Sequence, residues 1–276
     1  MARVGGLPVS GGGLLHHGPV TWVLDLDGVV WLADQPIAGA AAAVRSLRAA
    51  GQRVALVTNN SSMTVGDYLA KLARHDLPTD PADLVTSAQV AASLVAPGER
   101  VLVCAGAGVL EALEARGATP VDDGPADAVI VGWTAAFDYH MLTRAFRAVR
   151  GGARLIGTND DATYPTPGEP LPGGGSLVAA VSYASGVTAT VAGKPHPPMV
   201  EAVRARVGTV EVMVGDRPST DGLLGRRLGA RFALVLSGVT ARADLPVEPA
   251  PDVVADDLAA LVTAELGAPP LTPPTT

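Results

Sequence analysis

Short apolar runs rich in β-branched residues alternate along this chain with segments whose apolar positions recur at helical spacing. The first run, from Val20 to Leu24, breaks off into Asp25-Leu-Asp27-Gly28-Val-Val. An apolar run closed by turn residues predicts a buried strand of a parallel sheet. Further strands are expected over 53–58, 101–104, 128–131, 154–158, 188–191, 211–215, 232–236 and 252–254. Helices are expected over 40–50, 65–72, 87–95, 109–116, 139–149, 176–184 and 199–207. In the first of these Val44 and Leu47 stand three apart, and Gly51 supplies the stop. Alternation of this kind predicts an α/β fold. From about Asp83 the alternation starts afresh and is long enough to bury a core of its own, which reads as an inserted lobe. The expected division is a core over 20–84 and 189–265, an α/β cap over 85–188, a loose leader over 1–19 and a disordered tail over 266–276. The tail is Pro-rich from Ala268 onward.

Composition alters this picture in few places. With 276 residues, 48% of them apolar, the chain can fill a core domain and a second lobe. A net charge of −7 and a pI near 5.2 argue against a nucleic-acid or membrane partner. An anionic substrate would therefore have to find positive charge locally. No run of eighteen apolar residues suggests a membrane span. Residues 1–19 lack the basic start and apolar block of a signal peptide. The single cysteine, Cys104, allows no internal disulfide, fits a reducing cytoplasm, and is expected as a small core residue. The segment Cys104-Ala-Gly106-Ala-Gly108-Val-Leu-Glu111 invites a dinucleotide-binding reading, but Glu111 stands where the third glycine belongs.

The candidate chemistry lies where the apolar runs end. Side chains two apart in an extended chain share a side, so Asp25 and Asp27 can face one small volume. Two such carboxylates repel unless a cation or a bound proton lies between them. Thr58-Asn59-Asn60-Ser61-Ser62 ends the second core strand just before a helix. That segment reads either as a phosphate cradle or as an ordinary helix cap. Lys194 follows a later strand within Gly193-Lys194-Pro195, and Asp216 and Asp221 follow another. Polar residues repeated at one end of successive strands are hard to explain as packing. Hydrolysis of a phosphate monoester needs such a set: a carboxylate to attack, an acid to protonate the leaving alkoxide, and positive charge against the phosphoryl oxygens.

These four segments, in this order, resemble the haloacid dehalogenase-like phosphatases, and the long insert between the second and third resembles their type-II capped branch of nitrophenyl, phosphoglycolate and pyridoxal phosphatases. The resemblance covers nearly all of 20–262, with Gly157-Thr-Asn159-Asp160 and Pro172-Gly-Gly-Gly-Ser176 as supporting pieces. It implies a Rossmann-like doubly wound parallel sheet bearing a large inserted α/β cap. It further implies that Asp25 is the nucleophile and Asp27 the general acid and base. Mg2+ would be held by Asp25, the Asp27 backbone carbonyl and Asp216, with Asp221 orienting a metal-bound water. Thr58, Asn59 and Lys194 would hold the phosphoryl group, and Asn60, Ser61, Asn159 and Asp160 would face the substrate, with Tyr164 and His196 as further lining candidates. Two departures stand out. Met63 and Val65 occupy positions often basic in the branch, and Ser219 one that is often acidic. The first weakens the rim for a second substrate anion and favours a small glycerol or sugar phosphate. A phospho-accepting signalling module and a phosphomutase are the competing readings. Dimerisation through the cap is common in the branch, and a homodimer is the one protein partner the resemblance raises.

Overall fold

The computed structural model describes residues 20–166 and 168–267, so the expected leader, and the tail from Ala268 on, lie outside the described residues. Six parallel strands form the core sheet. Their spatial order is Val253–Ala255, Arg231–Val235, Val212–Gly215, Thr21–Asp25, Arg53–Thr58 and Leu84–Thr86. Thr21–Asp25 sits in the middle: the chain first adds two strands on one side of it, then returns to add three on the other. Such a reversal of strand order opens a crevice beyond the strands' carboxyl ends. Alternate residues feed two separate cores, Val23, Ala55 and Val57 on one face and Trp22, Leu24, Val54 and Leu56 on the other. Burial on both faces explains why these strands read as unbroken apolar runs.

The inserted lobe carries a second, five-stranded parallel sheet. Its order is Thr190–Val191, Arg154–Gly157, Ala128–Val131, Arg100–Cys104 and Thr119–Val121. A two-stranded hairpin, Thr163–Tyr164 with Leu171–Pro172, leads out of the strand at 154–157. The fold is thus the α/β core with an inserted α/β lobe expected from the sequence.

Strand pairing corrects the expected boundaries. Leu84–Thr86 pairs with Arg53–Thr58, so the core sheet runs past residue 84. Thr190–Val191 pairs with Arg154–Gly157, so the lobe's sheet runs past residue 188. At the far end Leu266 closes the helix Leu258–Leu266 and packs against the core, which removes it from the expected tail. Each error arises from a strand of two or three residues, or a helix end, too short to show a period.

The Gly106-Ala-Gly108 segment has a packing role. It begins the helix Ala107–Arg116, and a Cβ on either glycine would collide with the backbone of Ser62 or Met63. Gly108 N donates to Ser62 O at 3.3 Å, and Glu111 Oε2 accepts from Val65 N at 2.7 Å. The glycines let the lobe press against the linker after Thr58. Cys104 is buried as expected, and burial pushes its thiol up to about 12.

Candidate active site

Carboxyl ends of three central strands converge on one cavity of about 60 Å³. Asp25 ends its strand, Thr58 ends the next, and Asp216 follows Val212–Gly215 on the other side. All three line the cavity, together with Asp27, Asn59, Asn60, Asn159 and Lys194.

Lys194 is the electrostatic centre. It is 2% exposed, and its Nζ lies 2.7 Å from Asp25 Oδ1 and 2.7 Å from Asp221 Oδ1. Burial works against the ammonium, but the two carboxylates outweigh it and hold its pKa above the ordinary lysine value. The Lys194 backbone is fixed as well: its N–H donates to Asn59 Oδ1 at 2.7 Å and its carbonyl accepts from Asn59 Nδ2 at 3.1 Å.

Oxygens of Asp25, Asp216 and Asp221 lie within 4.8 Å of one another. Both Asp221 oxygens are engaged, one by Lys194 and the other by Arg217 N at 3.1 Å. Asp216 Oδ2 accepts from Val239 N at 2.6 Å. A Cβ at Gly28 (φ +83°) or at Gly238 would overlap the Asp216 carboxylate, so glycine is needed at both places. Burial lifts the Asp25 carboxyl well above the usual range, against the pull of Lys194, and Asp221 and Asp216 add to the rise. Burial and then Asp221 raise Asp216 to about 7. Three buried carboxylates against one ammonium make a site short of positive charge. Hard oxygen donors in that state fit a divalent cation such as Mg2+.

Since Asp216 holds a proton below about pH 7 when no cation is bound, cation binding there must displace it. Calorimetric Mg2+ affinity is expected to fall about tenfold per pH unit below 7 for each proton displaced. Proton release into the buffer should accompany it; binding at pH 6 without proton release would contradict the raised carboxyls.

The inserted lobe closes the cavity with Trp133, Asn159, Asp161, Thr163 and Tyr164. Trp133 and Tyr164 stack with centroids 5.3 Å apart and planes 28° apart. Asn159 Nδ2 donates to Asn59 O at 2.8 Å. Asp161 accepts from Asn59 Nδ2 at 3.0 Å and from Arg217 Nη1 at 3.3 Å, which ties the lobe to two core segments.

Three expected roles need correction. Asp160 does not line the cavity; it pairs with His196 at 2.8 Å on the partly exposed outside, and His196 goes with it. Side chains two apart share a side in an extended loop, so Asn159 and Asp161 turn in together and Asp160 turns out. Ser61 is fully buried and donates to Thr158 Oγ1 at 3.0 Å, which makes it a seam between the lobes. The Asn59 side-chain amide is taken up by Lys194 and Asp161, so that side chain braces the lysine. Asn60 does line the cavity, its Oδ1 held by Ser62 and its Nδ2 3.5 Å from the Tyr164 hydroxyl. The sequence reading missed Trp133, Asp161 and the lining role of Arg217; the last stands beside Asp216, a signal that was available.

Comparison with known proteins places this geometry. A family model described as haloacid dehalogenase-like hydrolase matches residues 22–119, and a second of the same group matches 191–261. A D-glycerol 3-phosphate phosphatase of Mycobacterium tuberculosis is 38% identical over 230 residues, 80% of this chain. The chain spans 64% of that relative's length. A 5'-nucleotidase of Bacillus subtilis is 34% identical over 227 residues, covering 80% of this chain and 88% of its own. Among solved structures, a glycerol phosphate phosphatase of Mycobacterium tuberculosis in complex with magnesium superposes with a TM-score of 0.80. It is 35% identical and covers 87% of this chain and 75% of its own. The chain belongs to the haloacid dehalogenase-like hydrolases, among their capped phosphatases.

Proposed function

We propose that this phosphatase hydrolyses small phosphate esters of uncharged alcohols, glycerol phosphate foremost, through phosphoryl transfer to Asp25. One observation carries the substrate class. Both cations lining the cavity are already engaged, Lys194 by Asp25 and Asp221 and Arg217 by Asp161. A second anionic group on the substrate would enter a site with no counter-charge to spare, whereas hydroxyl groups need none. The small volume against the Trp133–Tyr164 wall suits a leaving group of a few carbons.

Asp25, the Asp27 carbonyl and Asp216 would hold Mg2+, which when bound offsets the charge of the phosphoryl oxygens and of the carboxylates. Lys194 fixes the plane of the Asp25 carboxylate and adds a compact charge beside it. As Asp25 forms its bond to phosphorus, the ester P–O bond breaks and Asp27 gives a proton to the leaving oxygen. Asp27 then takes a proton from the water that cleaves the aspartyl phosphate. A phospho-accepting module would want a long-lived phosphoaspartate, and an acid lining the same cavity works against that.

A panel of glycerol phosphate, dihydroxyacetone phosphate, phosphoglycolate and a nucleoside monophosphate, ranked by kcat/KM with Mg2+, tests the reading. Glycerol phosphate is expected first and phosphoglycolate at least about tenfold lower. A leading nucleotide would overturn it. Asp161→Ala should narrow the phosphoglycolate gap by about tenfold, because it releases Arg217. An unchanged ratio would mean that the ion pair does not set the preference.

A further inference from the structure

Two buried polar side chains near the cavity, Trp31 and Lys71, have no part in the mechanism above. Trp31 is 1% exposed and opens the short hairpin Trp31–Leu32 with Gln35–Pro36. The turn after Asp27 carries it back toward the strand end: Gly28 N donates to Trp31 O at 2.7 Å, and Trp31 N to Leu26 O at 3.2 Å. Its indole Nε1 thereby reaches Asp27 Oδ1 and donates to it at 3.2 Å.

Lys71 covers the same ring. Its Nζ lies 4.3 Å from the Trp31 ring centroid, donates to Ala33 O at 2.6 Å, and pairs with Asp34 at 3.1 Å. A lysine 6% exposed in the helix Val65–Arg74 is costly to bury unless such partners hold it. The imidazole of His75 leans on the indole at 6.0 Å and 47°. The ring therefore cannot turn without breaking contacts with the helix Val65–Arg74 and the His75 that caps it.

A carboxylate rotates about its Cβ–Cγ bond, and an acid works only when one oxygen comes within hydrogen-bond reach of the leaving atom. The indole N–H is a donor and never an acceptor, so it stabilises a lone pair on Oδ1 and steers the carboxyl proton to Oδ2. Asp27 Oδ2 makes no hydrogen bond to any described side chain or backbone group, although Asp27 lines the cavity.

We propose that Trp31 is a positioning residue for Asp27, clamped by Lys71, so that the proton passes from Asp27 Oδ2 to the departing alcohol. This rests on the reading of Asp27 as the acid. In balance, the Asp25 oxygen forms its bond to phosphorus, the ester P–O bond breaks, and the Asp27 proton ends on the alcohol oxygen.

Leaving groups tell positioning apart from packing. Nitrophenolate departs without a proton, whereas the glycerol alkoxide needs one. Single-turnover release of each, with the full chain in excess and Mg2+ present, reads the first chemical step alone. Trp31→Phe is expected to slow glycerol release from glycerol 3-phosphate about tenfold and nitrophenolate release from 4-nitrophenyl phosphate by less than about twofold. Equal slowing of both, or of neither, overturns the proposal. Asp27→Asn should slow glycerol release by about 100-fold or more. If it spares that step, the reading of Asp27 fails independently of Trp31. In the Asp27→Asn background, Trp31→Phe should add nothing; a multiplied loss on glycerol release overturns the coupling. Lys71→Met leaves the indole in place should the ring exchange disturb folding. It is expected to slow glycerol release about threefold and spare nitrophenolate, and no selective loss would overturn the clamp.

Discussion

Asn in place of Asp25 is expected to lower phosphate release by about 10⁴-fold or more, because an amide cannot attack phosphorus. The fold should survive the change. Burial disfavours the charged form of Asp25, with Asp221 and Asp216 adding to the strain, so removing the charge relieves the cluster. Lys194 keeps Asp221 at 2.7 Å, and the amide oxygen can still accept from Leu26 N as Asp25 Oδ1 does at 2.7 Å. Phosphate release and a thermal melt on the same preparation check both halves. Residual turnover above about one percent would place the nucleophile elsewhere. A collapse of the melting temperature would mean that the carboxylate is structural and the activity loss uninformative.

That contrast bears on what the sequence could reveal. Asp25, Asp27, Lys194 and Asp216 were legible because charge interrupts apolar runs at strand ends, where packing alone has no use for it. The parallel core was legible for a related reason, since strands such as Val54–Val57 are buried on both faces. Facing within a loop was not legible. Asn159, Asp160 and Asp161 are adjacent polar residues, and nothing in their types says that the outer two turn inward. Ser61 was misassigned because a hydroxyl serves equally as a ligand and as a brace, and only the partner decides. Strands of two or three residues, Thr190–Val191 and Leu84–Thr86, take their sheet from tertiary contact, so the lobe boundary could not be placed from local pattern. Trp31 opens a stretch that reads only as a linker, yet it is buried, and its indole N–H gains a role because a turn brings it back beside Asp27.

Lys194→Met is expected to cost both stability and catalysis, for reasons that can be separated. Removing one partner of a buried ion pair costs about 3–5 kcal/mol, because the other charge stays behind in a dry site. Here the residue left behind is Asp221, 0% exposed, which then keeps only the hydrogen bond from Arg217 N among the described residues. The urea midpoint should fall accordingly. Mg2+ should restore only part of it, since Asp221 keeps the burden while Asp25 and Asp216 meet the ion. Loss of the charge beside Asp25 should also lower kcat by about 10²–10³-fold. Adding Asp221→Asn removes the orphaned charge, and replacing both members of a buried pair is close to neutral for stability. The double variant should therefore melt near the parent while remaining as inactive as Lys194→Met. Recovery of activity along with stability would assign Lys194 to the framework alone, and recovery of neither would mean that Asp221 is held by more than its charge.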